Sequence, residues 1–322
     1  MTDVAKVDAD PTKWSTGPGS PRLQKPDWVF FAGEVRPWED AVLHVSAEAV
    51  VRGLNVFEGL KGYWQEDGRF GFVHLERHYA RLCRSASLLY IPVTFSYDEF
   101  ESACFDLTRA LYQPEKDFYI RATLFVVEGH YGEGTKSDLV LTGYLQEKAP
   151  PEPIAMGVST WRRAPDLAMP PRIKTGANYQ VARLARIEGR SRGYEDMILL
   201  NESGRVAEST GACVLVVRDG KVHTPPSSEG VLESITLDVL CDLGDSLGTE
   251  VVVRPIERSE LYIADEVGLT GTLVEVTPIL SIDDRPLPDE TPLLSSLGNR
   301  YRNAVKGVDP HPAVELAMVP AD

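Results

Sequence analysis

Residues 196–209 read DMILLNESGRVAES, and residues 212–224 read ACVLVVRDGKVHT. Each holds two short apolar runs joined by a turn signal, Asn201-Glu202-Ser203-Gly204 in the first and Arg218-Asp219-Gly220 in the second. Apolar runs joined this way read as β-hairpins. On both sides of these hairpins strands recur with few helices between them. That balance predicts an α+β fold rather than a doubly wound parallel sheet.

Upstream, WVFFAGEV (28–35) reads as a strand entering a glycine turn. NVFEGLKGYW (55–64) and RFGFVHL (69–75) read as strands joined by the turn QEDG. Leu75, Tyr79, Leu82, Ala86 and Leu89 recur at alternating spacings of four and three, one apolar stripe of a helix. Residues 97–113 form a second helix, and DFYIRATLFVV (117–127) and SDLVLTGYL (137–145) two further strands. The prolines and acids of EKAPPEPIA (147–155) mark a domain boundary. Beyond it come a strand (154–161), a loop, a helix from Tyr179 to about Gly189, and the two hairpins. SITLDVLCDLGDSLG (234–248) is a helix with Ser234 as N-cap. TEVVVRPI is a strand, ERSELYIAD a short helix, and EVGLTGTLVEVTPI (266–279) a strand, a glycine turn and a strand. The expected organisation is a loose arm over 1–25, a small domain over 26–147, a linker over 148–155, a large domain over 156–306 and a peripheral tail over 307–322.

The chain has 322 residues, with 33 Lys and Arg against 48 Asp and Glu, a net charge of −15. That excess of acid argues against nucleic-acid binding, which needs many cations. No apolar run approaches the roughly 18 residues of a membrane span, and the N-terminus lacks the apolar stretch of a secretory signal. Four scattered cysteines show no CxxC spacing, and of the six histidines only His74 and His78, in HLERH, stand at HxxxH spacing, with no HxH pair. No metal site is expected, and a reducing cytoplasm suits the thiols.

Several residues could carry chemistry. Lys174, in PPRIKTGANYQ, follows two prolines and precedes Thr-Gly. It reads either as a solvated loop lysine or as an amine nucleophile in a tight, partly apolar spot. At the start of the helix after Ser234, the N–H groups of Ile235 and Thr236 and the Thr236 hydroxyl face whatever sits there. Such an end takes an anion or is an ordinary cap. In LTGTLVEV, Gly271 permits close backbone approach and Thr272 adds a hydroxyl; a plain turn reads the same way. Arg81 shares its helix with Arg77 and Arg84, the pattern of a solvated face. Arg121 interrupts an apolar strand, so burial would demand an anion, either structural or from a ligand. Glu208, flanked by small residues, is a surface acid or a site acid.

The order of these features resembles the class IV aminotransferases, the pyridoxal-phosphate enzymes of fold type IV, and among them the branched-chain amino acid aminotransferases. The blocks that carry the resemblance are VFEGLKGYW (56–64), HLERHYARL (74–82), FYIRATLFV (118–126), KTGANY (174–179), GYEDMILLNESGRVAESTG (193–211), LESITLDVL (232–240) and ELYIADEVGLTGTLVEVTPI (260–279). The resemblance implies two α/β domains with the active site between them, a homodimer, and pyridoxal 5'-phosphate as cofactor. It implies ping-pong transfer of an amino group from a branched-chain or similar hydrophobic amino acid to a 2-oxo acid such as 2-oxoglutarate. Lys174 matches the lysine that forms a Schiff base with the cofactor. Tyr179 matches the tyrosine at the phenolate oxygen, Glu208 the acid at the pyridine nitrogen, and Arg81 the phosphate-binding arginine. Ile235, Thr236 and Thr272 match the backbone and hydroxyl phosphate ligands, with Ser234 and Gly271 beside them in the cofactor site that the resemblance implies. Phe57, Gly59, Lys61 and Arg121 keep the substrate-side pattern of the branched-chain group.

Some positions depart from the pattern. Ser234 stands where the family has Gly, and Leu237 where it has Arg. Arg52 stands where the branched-chain group has Tyr, and Leu273 and Val274 where it has Ala. A cation at Arg52 and bulk at Leu273 and Val274 alter substrate fit, so a D-amino acid or (R)-amine transaminase of the same fold is the alternative. A lyase relative on this fold is disfavoured by VFEGLKGYW and Arg121. A catalytically silent binding protein is disfavoured by Lys174, Tyr179 and Glu208 occurring together.

Overall fold

The computed structural model describes residues 25–320 apart from 131 and 148, so the expected arm falls almost wholly outside the described residues. The first sheet draws on β1 (Trp28–Phe31) and β2 (Glu34–Pro37), then, past the single turn α1 (Glu48–Val51), on β3 (Asn55–Trp64) and β4 (Phe70–Val73). Helices α2 (Leu75–Leu88) and α3 (Tyr97–Leu111) follow, then the long hairpin β5 (Asp117–His130) and β6 (Glu133–Gln146). The strand and glycine turn expected over 28–35 are present, and the turn at Ala32-Gly33 leads into a second strand, β2.

Central position explains β3. Residues Val56–Tyr63 are all buried, because β4 and β5 flank the strand and α2 packs on it. The stripe read on α2 buries Leu75, Leu82 and Ala86. Ser96 and Glu99 start α3 with reciprocal side-chain caps. These elements enclose an apolar core around Leu60, Leu82, Phe100, Phe118 and Leu124.

The second sheet comprises β7 (Ile154–Arg162), then, after α4 (Tyr179–Ser191), β8 (Asp196–Leu200), β9 (Val206–Ser209), β10 (Cys213–Arg218) and β11 (Lys221–Thr224). Helix α5 (Ile235–Leu247) leads to β12 (Val251–Val253), β13 (Glu266–Gly271), β14 (Glu275–Ile282) and β15 (Arg285–Pro286). The order is β12-β11-β10-β13-β14-β7-β8-β9, and β9 also pairs β10 through Glu208 and Cys213. Six strands thereby close on themselves, and Glu208 stands at the seam. Both expected hairpins are present as antiparallel pairs.

The chain ends with α6 (Pro292–Val305) and β16 (Leu316–Met318). β16 pairs β4, so the segment read as a peripheral tail returns to the first sheet as its edge strand. The first sheet thus runs β16-β4-β3-β5-β6-β1-β2, antiparallel throughout. The short helix expected in ERSELYIAD is present as a five-residue 3₁₀ helix, Arg258–Tyr262. A mixed cluster of Tyr63 and Val73 with Leu215, Val239, Leu294 and Tyr301 joins the two sheets. Among the described residues no helix is long and apolar enough to cross a membrane.

Candidate active site

The loop before α4 is held by its neighbours on both sides. Asn178 Nδ2 donates to the carbonyls of Pro170 (3.0 Å) and Ile173 (2.8 Å), which closes the loop on itself. The Lys174 N–H donates to Ser85 Oγ of α2 at 3.1 Å, and its carbonyl accepts the Phe57 N–H of β3 at 2.8 Å. Thr175 Oγ1 donates to the Asn55 carbonyl at 2.6 Å. Lys174 is therefore a fixed position at the meeting of the two sheets, not a solvated loop lysine. Its Nζ donates to Tyr179 Oη at 3.1 Å and lies 5.2 Å from the centre of the Phe57 ring.

These groups face a cavity of ≈ 470 Å³. Glu208 reaches it from β9 and is buried. It accepts the Leu232 N–H at 3.1 Å and pairs with Arg163 Nε at 3.0 Å. Burial pushes its carboxyl up from the ordinary value, while Arg163, the Leu232 N–H and Lys174 pull the other way. Arg81, on α2, is also buried and lines the cavity. Its Nε and Nη2 donate to Glu58 at 2.7 and 2.8 Å, and its Nη1 to the Glu233 carbonyl at 2.6 Å. His78 Nδ1 lies 2.7 Å from Glu58 Oε2. Burial favours the neutral form of Glu58, but Arg81 and His78 outweigh it and hold the carboxyl well below the usual range.

Ser234 caps α5 as read, its Oγ accepting the Leu237 N–H at 3.2 Å. The first helical N–H groups, of Ile235 and Thr236, have no acceptor within the helix. Ser234 and Ile235 line the cavity with Gly271, Thr272, Leu273 and Val274 of the β13–β14 turn. Thr270 Oγ1, in the same wall, is buried without a hydrogen-bond partner among the described residues. A pocket with a lysine, a buried carboxylate, an arginine, a helix start and an orphaned hydroxyl fits a compact ligand that carries an aldehyde, a basic ring nitrogen and a phosphate.

Phe57, Gly59 and Arg121 line the cavity as well. Arg121 departs from expectation: it is exposed, not buried, and its guanidinium lies 4.7 Å from the Phe57 ring centre. Its side of β5 faces the opening rather than the core, so no buried anion is required. Arg52 does not line the cavity; it pairs with Glu48 at 2.5 Å. Lys61 does not line it either, its ammonium lying 2.6 Å from Glu275. Thr236 is buried outside the lining.

Sequence reasoning missed Arg163, Glu58, His78 and the cavity-lining Tyr119. Burial foremost pushes the Tyr119 hydroxyl up, against the pull of Arg121 and Lys174, so it stays protonated. Glu58 and Tyr119 lie inside blocks already quoted, and only their burial reveals them.

A family profile described as amino-transferase class IV matches residues 55–282. The branched-chain-amino-acid aminotransferase of Escherichia coli (strain K12) is 36% identical over 269 residues, covering 81% of this chain and 86% of that protein. The branched-chain amino acid aminotransferase of Thermobaculum terrenum, solved in its PLP form, superposes with a TM-score of 0.82 at 34% identity, covering 91% of this chain and 98% of that one. The branched-chain aminotransferase of the thermophilic archaeon Thermoproteus uzoniensis, solved with norvaline, superposes with a TM-score of 0.84 at 30% identity, covering 90% and 99%.

Proposed function

The chain belongs to the class IV aminotransferases, and from that premise we propose how its own residues perform a pyridoxal-phosphate-dependent transamination. The donor is a branched-chain or similar hydrophobic amino acid and the acceptor a 2-oxo acid, 2-oxoglutarate being the first to test. When bound, the cofactor supplies an aldehyde that takes up an amine and a ring that draws electrons from the bonds at the substrate's Cα.

With the cofactor bound, Arg81, the N–H groups of Ile235 and Thr236, and the Thr272 hydroxyl would hold its phosphate. Glu208, paired with Arg163, would sit at the ring nitrogen and favour its protonated form. Tyr179, which accepts from the Lys174 amine, would donate its own O–H to the ring oxygen. Lys174 would hold the aldehyde carbon at rest, and its amine, when free, would be the base that takes the proton from the substrate's Cα. Phe57, Gly59, Tyr119 and Arg121 form the substrate side, with Leu273 and Val274 narrowing it. The observation that carries this reading is the Lys174–Tyr179 contact of 3.1 Å in one cavity with Glu208 and Arg81.

The bulk of Leu273 and Val274 in the cavity wall favours a second reading, a D-amino acid or (R)-amine donor. One donor screen decides between them. Purified holoenzyme is mixed with 2-oxoglutarate and each enantiomer of leucine, isoleucine, valine and a simple chiral amine, and product glutamate is measured. Turnover with the L-amino acids supports the first reading and turnover confined to the opposite enantiomers the second. No turnover with any donor contradicts both.

The assembly is a homodimer, supported by the run of exposed apolar side chains at Val42, Leu43, Val45, Val50 and Val51 beside Arg52, a surface that a second copy would cover. The free thiols Cys83, Cys104, Cys213 and Cys241 fit a cytoplasmic location. The proposed domains, 26–147 and 156–306 about a linker over 148–155, are supported by the division into two sheets, with β7 of the second starting at Ile154 inside that linker and residues 316–318 added to the first.

A further inference from the structure

Lys61 and Glu275 stand on different sheets, on β3 and β14, where the mixed cluster joins the two halves. Lys61 Nζ donates to Glu275 Oε1 at 2.6 Å, and the residues are 8% and 3% exposed. Tyr63 Oη donates to the same oxygen at 3.0 Å. Tyr63 lies in one buried cluster with Tyr301 of α6 and with Val239, Leu240 and Leu243 of α5, the helix whose first turn carries Thr236. All of these side chains are buried.

A buried ion pair is a poor source of stability, because desolvation offsets the attraction. Its position suggests another use. Glu275 is the first residue of β14 and pairs across the hairpin with Gly271, so only Thr272, Leu273 and Val274 lie between them. Those three residues line the cavity. Glu275 has φ +49°, a left-handed conformation that side chains with a Cβ adopt at a cost. Its Oε2 has no hydrogen-bond partner among the described residues, so the hold on this carboxylate runs through Oε1, to Lys61 and Tyr63.

We propose that Lys61 and Glu275 are positioning residues: their ion pair fixes the 272–274 turn and, through Tyr63 and the buried cluster it shares with Tyr301 and α5, holds it against the helix that starts at Ile235 and Thr236. The substrate wall and the phosphate seat then keep one relative placement. This rests on the assignment above of the 272–274 turn to the substrate and of Thr236 to the cofactor phosphate. It gives Lys61 a role through Glu275 rather than by contact with substrate.

The test uses Lys61→Met, Lys61→Arg, Tyr63→Phe and the double variant Lys61→Met/Glu275→Gln, which leaves no unpaired buried charge. Steady-state kinetics of the holoenzymes are measured, and each apoprotein is titrated with pyridoxal phosphate and with pyridoxal. The double variant should raise KM for donor and acceptor about tenfold while kcat falls less than about threefold, the mark of lost placement rather than lost chemistry. Lys61→Arg, which keeps the charge, should bring KM back to within about threefold of wild type. Tyr63→Phe should weaken pyridoxal phosphate about fivefold and leave pyridoxal, which has no phosphate, within about twofold. Variants that melt at lower temperature but keep wild-type KM and cofactor affinities would overturn the proposal, as would equal weakening of both cofactor forms. If wild-type enzyme transfers no amino group, the functional assignment fails instead, and the two apoprotein titrations still decide whether the brace reaches the phosphate seat.

Discussion

Arg81 and Glu58 form a paired contact, Nε to Oε1 at 2.7 Å and Nη2 to Oε2 at 2.8 Å, with Glu58 fully buried between Arg81 and His78. The geometry aims one guanidinium at the cavity and leaves it few other orientations.

Glu58→Gln should therefore cost stability and loosen the phosphate seat together. Breaking a buried pair from one side costs about 3–5 kcal/mol, read by denaturant unfolding of the apoprotein, and pyridoxal phosphate affinity should fall at least about tenfold. The pH dependence has a definite sign. Glu58 is depressed in the fold, so its stabilisation is present above the ordinary glutamate range and is lost as pH falls through the folded value. The difference between wild type and variant should stay flat from about pH 8 to pH 5 and shrink only in stronger acid. A difference that grows on acidification contradicts the pairing.

Glu208→Gln removes a buried charge while keeping the shape of the side chain. Turnover should slow by about 2–4 kcal/mol, as for other lost electrostatic partners, which is roughly 30- to 900-fold. Cofactor attachment to Lys174 should persist. Wild-type kcat in this variant would remove Glu208 from the ring nitrogen.

Gly59→Ala probes the wall between β3 and β5. A Cβ there would lie 2.6 Å from Tyr119 Oη, closer than real contacts allow. Tyr119 must shift, so stability should fall by about 1–3 kcal/mol and KM for the donor should rise. An unchanged KM would show that the Tyr119 hydroxyl does not touch substrate.

Leu273→Ala combined with Val274→Ala widens the cavity beside the turn. Donors with larger side chains should gain in kcat/KM relative to valine, by about 1–3 kcal/mol per accommodated methylene at most. An unaltered donor ranking would place these side chains away from the substrate.

What the sequence revealed was chiefly local. The run Asn55–Trp64, the stripe on α2, the Ser234 cap and the turn between Gly271 and Glu275 carry their signals within a few residues, and the structure has each of them. Helix α6 went unread although Leu294, Leu297, Tyr301, Ala304 and Val305 keep helical spacing and Pro292 stands in its first turn, where proline suits a helix start. Edge strand β16 pairs with residues more than two hundred positions earlier, which no local pattern encodes. The pairings that set up the cavity, Glu58 with Arg81, Glu208 with Arg163 and Lys61 with Glu275, are likewise long-range. Arg121 shows the same limit from the other side. Its apolar neighbours are those of a buried strand, and only the tertiary arrangement distinguishes a face turned to the core from one turned to a cavity.

Everything proposed for the site turns on Lys174 as the point of cofactor attachment. Holoenzyme should be reduced with borohydride, digested and mapped by mass spectrometry, alongside Lys174→Ala. One phosphopyridoxyl adduct should appear, on the peptide containing Lys174, and none in Lys174→Ala, which should lose turnover yet still bind pyridoxal phosphate reversibly through the phosphate seat. An adduct on another lysine, or normal turnover by Lys174→Ala, would rule out that attachment.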